Sequence, residues 1–214
     1  MKAKRRFNIW LWVLLCVPCL LASCDHDVHS DEEESGLSVS LTWADEADQG
    51  TEVKDVKLWI FNADDGSLVE EKHYGSAQEV ASQRFALPEG HYQILAITNL
   101  IEPFFTTDQT RALTSWNNIQ IGLTYPKDVK DNAYFGVTDV RIDNKEGNYV
   151  VQNPVKSVLA ELTIIIENVP KGTEMSGKAL DAAWCLFPTQ KNGDGDYGLP
   201  SIKPTEVEMP TILA

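Results

Sequence analysis

Short segments in which apolar and polar residues alternate set the strongest limit on what this chain can fold into. The first begins at residue 37, where Leu37, Val39, Leu41 and Trp43 alternate with small polar residues. Because side chains on a strand point alternately to opposite faces, this period of two predicts a half-buried strand over residues 37–43. Similar segments recur along the chain, and together they indicate an all-β fold.

Two stretches combine such segments with turn residues and predict β-hairpins. Residues 53–74 hold two strands around a turn in which Gly66 is free to adopt a positive φ. Residues 83–98 hold a second pair around a turn in which Pro88 fixes φ. Both faces of the strand after Gly90 are apolar, which is typical of a central strand.

The apolar signal is strongest over residues 155–169, where both faces of the predicted strand carry Val, Leu or Ile. Further strands are predicted over residues 119–123, 133–142 and 182–189, and a short capped helix over residues 107–116. The segment after Pro154 is too short to form a second sandwich as long as the first. Three interpretations stay open: residues 155–169 pair into the first sandwich, the second domain is truncated, or a partner donates the missing strands. Sequential strands usually lie side by side, which favours the first.

Residues 1–24 have the features of an export signal. An almost wholly apolar segment at residues 9–21 is shorter than the roughly 20 residues that span a bilayer. Before it lie four cations, Lys2, Lys4, Arg5 and Arg6. Ala22 and Ser23 then precede Cys24 in the pattern of a lipobox, so we expect cleavage between Ser23 and Cys24 and fatty acylation of Cys24. An ordinary signal with an incidental cysteine and a short buried helix are the alternatives, and the cationic head disfavours the helix.

The residues after Cys24 are acidic and almost without apolar side chains, and they include Asp31, Glu32, Glu33 and Glu34. Such a segment cannot bury enough surface to offset its ordering entropy, so residues 24–36 are predicted to be a flexible tether. The whole sequence has a formal charge of −14, and removal of a signal that holds four cations and no acid leaves about −18. This charge repels nucleic acid and is typical of a soluble exported surface protein.

The cysteine usage and the absence of known catalytic motifs argue against an enzyme. Cys16 and Cys19 leave with the signal and Cys24 is acylated, so Cys185 has no partner for an intrachain disulfide. Cys185 lies in an apolar segment and is expected to be a small core residue. The sequence has no Gly-x-Ser-x-Gly, His-Glu-x-x-His or phosphate-binding loop, and we predict no enzyme activity and no cofactor.

Possible metal ligands are better explained by turns and linkers. His26 and His29 lie three residues apart in the acidic tether, without a further histidine or cysteine beyond Cys24 near them. Asp64 and Asp65 belong to the turn of the first hairpin. Residues 192–203 begin like a calcium-binding loop but lack its central glycine and its final glutamate. We therefore predict no metal site.

Two stretches carry a family resemblance. Residues 53–66 form an apolar-aromatic strand that ends at Asp-Gly, and residues 86–100 contain Leu-Pro-x-Gly-x-Tyr followed by Ala-Ile-Thr-Asn. Together with the lipobox, these resemble the FimB-type fimbrial anchor lipoproteins of Bacteroidetes, the anchoring subunits of type V pili. The resemblance implies transthyretin-like β-sandwiches in series, an outer-membrane lipid anchor and a role in attaching a fimbrial polymer. It also implies that Asp31 to Glu34 guide export to the cell surface.

The sequence thus predicts four parts: a lipoprotein signal peptide (residues 1–23), an acidic tether (24–36), an N-terminal β-sandwich (37–153) and a partial second β domain (154–214). The predicted function is that of a lipid-anchored cell-surface protein, an anchoring or accessory subunit of a fimbria in pilus assembly and cell adhesion. Its expected partners are the outer membrane, through the lipid on Cys24, and fimbrial subunits, with β-strand donation as one route. A glycan- or matrix-binding surface lipoprotein that uses the sandwich as a spacer is the alternative.

Overall fold

In a computed structural model of the protein, the chain is described at residues 35–100, 105–107, 115–123, 132–159, 164–180, 183–202, 207–208 and 212–213. Nearly all the regular structure in these ranges is β-strand, which confirms the predicted all-β class. None of the helices within them has the length and apolar character needed to cross a membrane.

The described strands follow one another with few helical turns between them. They are β1 (Gly36–Trp43), β2 (Val56–Asn62), β3 (Leu68–Tyr74), β4 (Gly90–Thr98), β5 (Phe105–Thr107), β6 (Ile121–Leu123), β7 (Tyr134–Ile142), β8 (Asn148–Ser157), β9 (Glu174–Met175), β10 (Lys178–Ala179), β11 (Ala183–Lys191), β12 (Tyr197–Ile202), β13 (Val207–Glu208) and β14 (Ile212–Leu213). A short helix, α1 (Ala77–Ala81), follows β3. Two 3-10 turns lie at Glu46–Asp48 and Trp116–Asn118.

The larger sheet has six strands in the order β1-β8-β7-β4-β2-β3. Its pairs are antiparallel except for β1 and β8, which are parallel. The predicted hairpin over residues 53–74 is confirmed as β2 and β3, and Gly66 adopts a φ of +70° in the turn. The strand after Gly90 is central as predicted, because β4 pairs with β2 on one side and β7 on the other.

The second predicted hairpin, over residues 83–98, is wrong. The segment before Pro88 does not pair with β4 but crosses to the free edge of β1. There Phe85 and Leu37 exchange two backbone hydrogen bonds, of 3.0 and 2.9 Å. The Leu-Pro-x-Gly-x-Tyr turn is held by the Tyr92 hydroxyl, which donates to the Pro88 carbonyl at 2.9 Å.

Side chains on both faces of the six-stranded sheet are buried. One face holds the first core cluster, which is covered by α1 and the segment after it, and includes Leu37, Val39, Leu58, Ile60, Val80, Phe85, Ile94 and Ile142. The other face holds the second core cluster, with Trp59, Phe61, Leu95, Ile97, Trp116, Ile119, Ile121 and Phe135. This second cluster lies beneath a four-stranded sheet of order β12-β11-β6-β5, and residues Ser35–Ala214 form one compact unit.

The predicted strand over residues 155–169 is wrong in extent. Strand β8 begins at Asn148, runs through Pro154 and ends at Ser157, and residues 164–169 belong to no strand. A local reason is that the Leu159 N–H is bonded to the Ser157 hydroxyl at 3.1 Å and to the Asn132 side chain at 3.3 Å. Side-chain bonds of this kind compete with strand pairing.

The proposed domain boundary at Pro154 therefore lies inside β8. Strand β11 from the C-terminal region pairs with β6 from the N-terminal region. The division into two domains stays a prediction. The predicted strands over residues 119–123, 133–142 and 182–189 are confirmed as β6, β7 and β11, while most of the predicted helix over residues 107–116 lies outside the described residues.

Candidate functional site

The C-terminal region contains an arm whose short strands belong to neither of the two main sheets. We define this C-terminal arm as residues 164–180 together with β13 and β14. Within it β9 pairs with β14 and β10 pairs with β13, each over two residues and in antiparallel register. Two-stranded ladders of this length are marginal in water unless another layer covers them.

The arm exposes a cluster of large apolar side chains. Ile164, Ile165 and Ile166 are 55%, 80% and 60% exposed, and Leu180 is 67% exposed. Burial of one such side chain stabilises a structure by about 1.5–3 kcal/mol relative to its exposed state. Neighbouring exposed isoleucines are therefore typical of a surface that another molecule covers.

The edges of the larger sheet are protected, in contrast to the arm. Strand β3 lies at one edge and carries the exposed charges of Glu71 and Lys72, with Lys72 bonded to Glu70 at 3.1 Å. At the other edge, the backbone N–H and C=O of Leu37 are hydrogen-bonded to the Phe85 backbone. The Ser38 hydroxyl donates to the Ala81 carbonyl at 3.0 Å. Charge and coverage both hinder the addition of a foreign strand.

Strands β11 and β12 connect the arm to the second core cluster. The Thr189 hydroxyl donates to the Trp116 carbonyl at 2.7 Å, and the Trp116 and Tyr197 rings meet edge to face at 6.1 Å. Burial raises the pKa of Tyr197, and the nearby charge of Asp139 raises it further. Both effects move the ionisation of Tyr197 further above physiological pH, where a tyrosine is already neutral.

Two histidines form ordinary surface pairs with carboxylates. His73 bonds to Asp55, and His91 lies 3.9 Å from Asp139, with all four side chains at least partly exposed. Cys185 is a free, half-buried cysteine on β11. Within the ranges given above, no three His, Cys, Asp or Glu side chains lie close enough together to hold a metal ion.

The turns that resemble metal loops are closed by their own side chains. The Asp64 N–H donates to Asn62 at 2.8 Å, and the Ser67 N–H donates to Asp65 at 2.9 Å. Hydrogen bonds from the Ser67 hydroxyl and from the Ser67 N–H lower the pKa of Asp65. In the β11–β12 turn, Asn192 accepts from the N–H groups of residues 194 and 196, both at 3.0 Å.

The residues predicted to anchor and export the protein are Ser23, Cys24, Asp31, Glu32, Glu33 and Glu34, and all of them lie outside the described residues, as do His26 and His29. Their roles stay predictions. The sequence did not point to a half-open cavity of about 290 Å³ beside Trp43. No local signal could have revealed it, because its walls come from β1, β8, α1 and the loop before β2.

Comparison with solved structures shows where this fold occurs. A candidate adhesin from Bacteroides ovatus superposes with a TM-score of 0.51 at 17% identity, over 77% of this chain and 60% of that one. A candidate adhesin from Bacteroides thetaiotaomicron gives 0.50 at 9% identity, over 82% and 61%. The fimbrial anchor protein Mfa2 from Porphyromonas gingivalis gives 0.50 at 12% identity, over 82% and 66%. The match thus extends over less than two thirds of each of these proteins.

Comparison of sequences is informative at the level of the family. No curated protein matches the chain. The model of the fimbrillin-A associated anchor proteins matches residues 26–206, which is most of the 214-residue sequence. The chain therefore belongs to the family of fimbrillin-A associated anchor proteins Mfa1 and Mfa2.

Proposed function

We propose that this protein is a lipid-anchored subunit of the outer cell surface that holds a fimbria to the cell, and that it acts by protein–protein contact without catalysis. Membership of the anchor family supports this function. The single observation that carries the proposal is the C-terminal arm, which exposes Ile164, Ile165 and Ile166, whereas the two edge strands of the larger sheet are covered or charged.

The proposed attachment to the membrane depends on Cys24. Lipidation at the lipobox would place the fold at the end of an acidic tether. Each buried methylene contributes about 0.8 kcal/mol, and two or more acyl chains give stable attachment to a membrane. The acids at residues 31–34 are proposed to direct the protein to the outer face of the outer membrane.

The proposed contact with the fimbria depends on the addition of a β-strand. An extended segment of a fimbrial subunit could pair with the backbone of residues 164–169, which belong to none of the strands in the described part of the chain. Backbone hydrogen bonds would supply affinity, and Ile164 and Ile166 would contact side chains of the incoming strand on one face, with Ile165 on the other.

The lipid anchor is tested by Cys24→Ala in a Bacteroides host that assembles fimbriae with this protein. We expect loss of labelling by a fatty-acid analogue and release of fimbriae into the medium, because the anchoring chains are absent. Cys19→Ala is the matched control, since it removes a cysteine from the signal itself and should leave labelling and attachment unchanged. Full labelling of the Cys24→Ala protein would refute lipidation at this residue.

A further inference from the structure

The half-open cavity beside Trp43 has the size of a small ligand pocket. Its volume of about 290 Å³ lies near the lower limit of the roughly 300–1,000 Å³ that is usual for ligand sites. It is open on one side, so a ligand larger than one ring would extend into solvent.

The walls combine an apolar surface with neutral polar groups. Leu41, Val53 and Val155 form the apolar part, and Val155 is fully buried. The polar part is formed by four neutral side chains, Thr42, Thr51, Ser76 and Gln78. None of the described residues that line the cavity carries a charge.

Trp43 is held in place at this cavity by an aromatic neighbour. Its ring meets the Tyr134 ring edge to face, at 4.8 Å between centroids and 73° between planes. The Tyr134 hydroxyl donates to the Asp48 carboxylate at 3.3 Å, and burial raises the pKa of Tyr134. A ligand would therefore meet a side chain whose orientation is already fixed, and this reduces the entropy lost on binding.

The polar groups retain hydrogen-bonding capacity. The Ser76 hydroxyl accepts from the Glu79 N–H at 3.2 Å, so its own proton remains available for donation. Gln78 and Thr51 are exposed at the rim. The Gln78 amide and the hydroxyl groups of the lining are suited to bond hydroxyl groups at the edge of a ring. The Trp43 indole is suited to pack against C–H groups on the face of that ring.

We propose that this cavity binds one neutral sugar residue of a glycan. A neutral sugar fits the absence of charge in the lining, whereas a phosphate, a uronic acid or a nucleotide would find no cation there and would be repelled by the acidic protein. An apolar peptide side chain would use none of the remaining hydrogen-bonding capacity of Ser76 and Gln78, which disfavours a protein ligand. The site would act in addition to the fimbrial anchoring proposed above and does not depend on it.

The test uses the exported chain on a panel of animal, plant and bacterial glycans, followed by calorimetry with the sugars that bind. We expect saturable binding of at least one neutral glycan, no binding of its uronic-acid counterpart, and at least a tenfold loss of affinity in Trp43→Ala. The source of the glycans that bind, animal or plant on one side and bacterial on the other, would show whether the ligand is a host glycan or one made by bacteria.

Variants keep the test decisive if Trp43→Ala fails to fold. Gln78→Ala changes an exposed rim residue and should weaken binding several-fold, while Gln152→Ala, an exposed glutamine on β8 outside the cavity, should not. The proposal is overturned if no neutral glycan binds, if affinity is the same in Gln78→Ala and in the control, or if an apolar peptide competes for the cavity and sugars do not.

Discussion

The six-stranded sheet and the C-terminal arm both contain consecutive apolar residues, which the sheet buries and the arm exposes. In the sheet, β2 and β4 bury apolar side chains on both faces, and the outer strands β1 and β3 are covered or charged. In the arm, consecutive isoleucines lie exposed beside ladders only two residues long. The difference indicates that the sheet is complete in itself, whereas the arm has the properties of one half of an interface.

The largest difference in stability is expected between a truncation in the core and a truncation in the arm. Phe61 is fully buried and meets Trp116 edge to face at 5.3 Å, so Phe61→Ala should lower the free energy of unfolding by about 3–5 kcal/mol. Ile165→Ala should change it by no more than about 0.5 kcal/mol, because the side chain is 80% exposed. Urea denaturation measures both values. A cost at Ile165 close to that at Phe61 would show that the arm is packed.

A second comparison replaces glycine by alanine at two positions, one packed and one open. A Cβ at Gly136 would lie 2.6 Å from the Pro154 backbone oxygen, so Gly136→Ala should cost about 1–3 kcal/mol through overpacking of β7 against β8. A Cβ at Gly193, in the β11–β12 turn, would meet no atom within 4 Å, and Gly193→Ala should leave the melting temperature nearly unchanged. Equal shifts in the two variants would contradict this account of the β7–β8 packing.

The smallest effect on stability is expected in the tether. Replacement of Asp31, Glu32, Glu33 and Glu34 by neutral polar residues should leave the melting temperature within error, because a segment of this composition has no apolar partners. The same variant should be less accessible to protease added to whole cells, since these acids are proposed to guide surface export. A large drop in melting temperature would show instead that the segment packs on the fold.

Local patterns predicted the local features correctly. The β2–β3 hairpin follows from alternation plus a turn with Gly66, and both are read within about 20 residues. The all-β class was confirmed by the strands, and the resemblance to fimbrial anchors was confirmed by the family match over residues 26–206.

Features that depend on distant residues could not be predicted. The hairpin over residues 83–98 failed because Phe85 bonds to Leu37, far away in sequence. The strand over residues 155–169 was wrong in extent because periodicity does not show that the Asn132 side chain, 27 residues away, accepts a hydrogen bond from the Leu159 N–H. The cavity beside Trp43 likewise joins segments separated by more than a hundred residues.

The central claim is that the arm has an unpaired segment that a fimbrial subunit covers, and hydrogen exchange tests it most directly. In the isolated protein, the amides of residues 164–169 should exchange rapidly, while those of β4, which is paired on both sides, should be strongly protected. Addition of fimbrial subunits should slow exchange at residues 164–169 and leave β4 unchanged. Full protection of residues 164–169 in the monomer, or no change on addition of subunits, would contradict the claim.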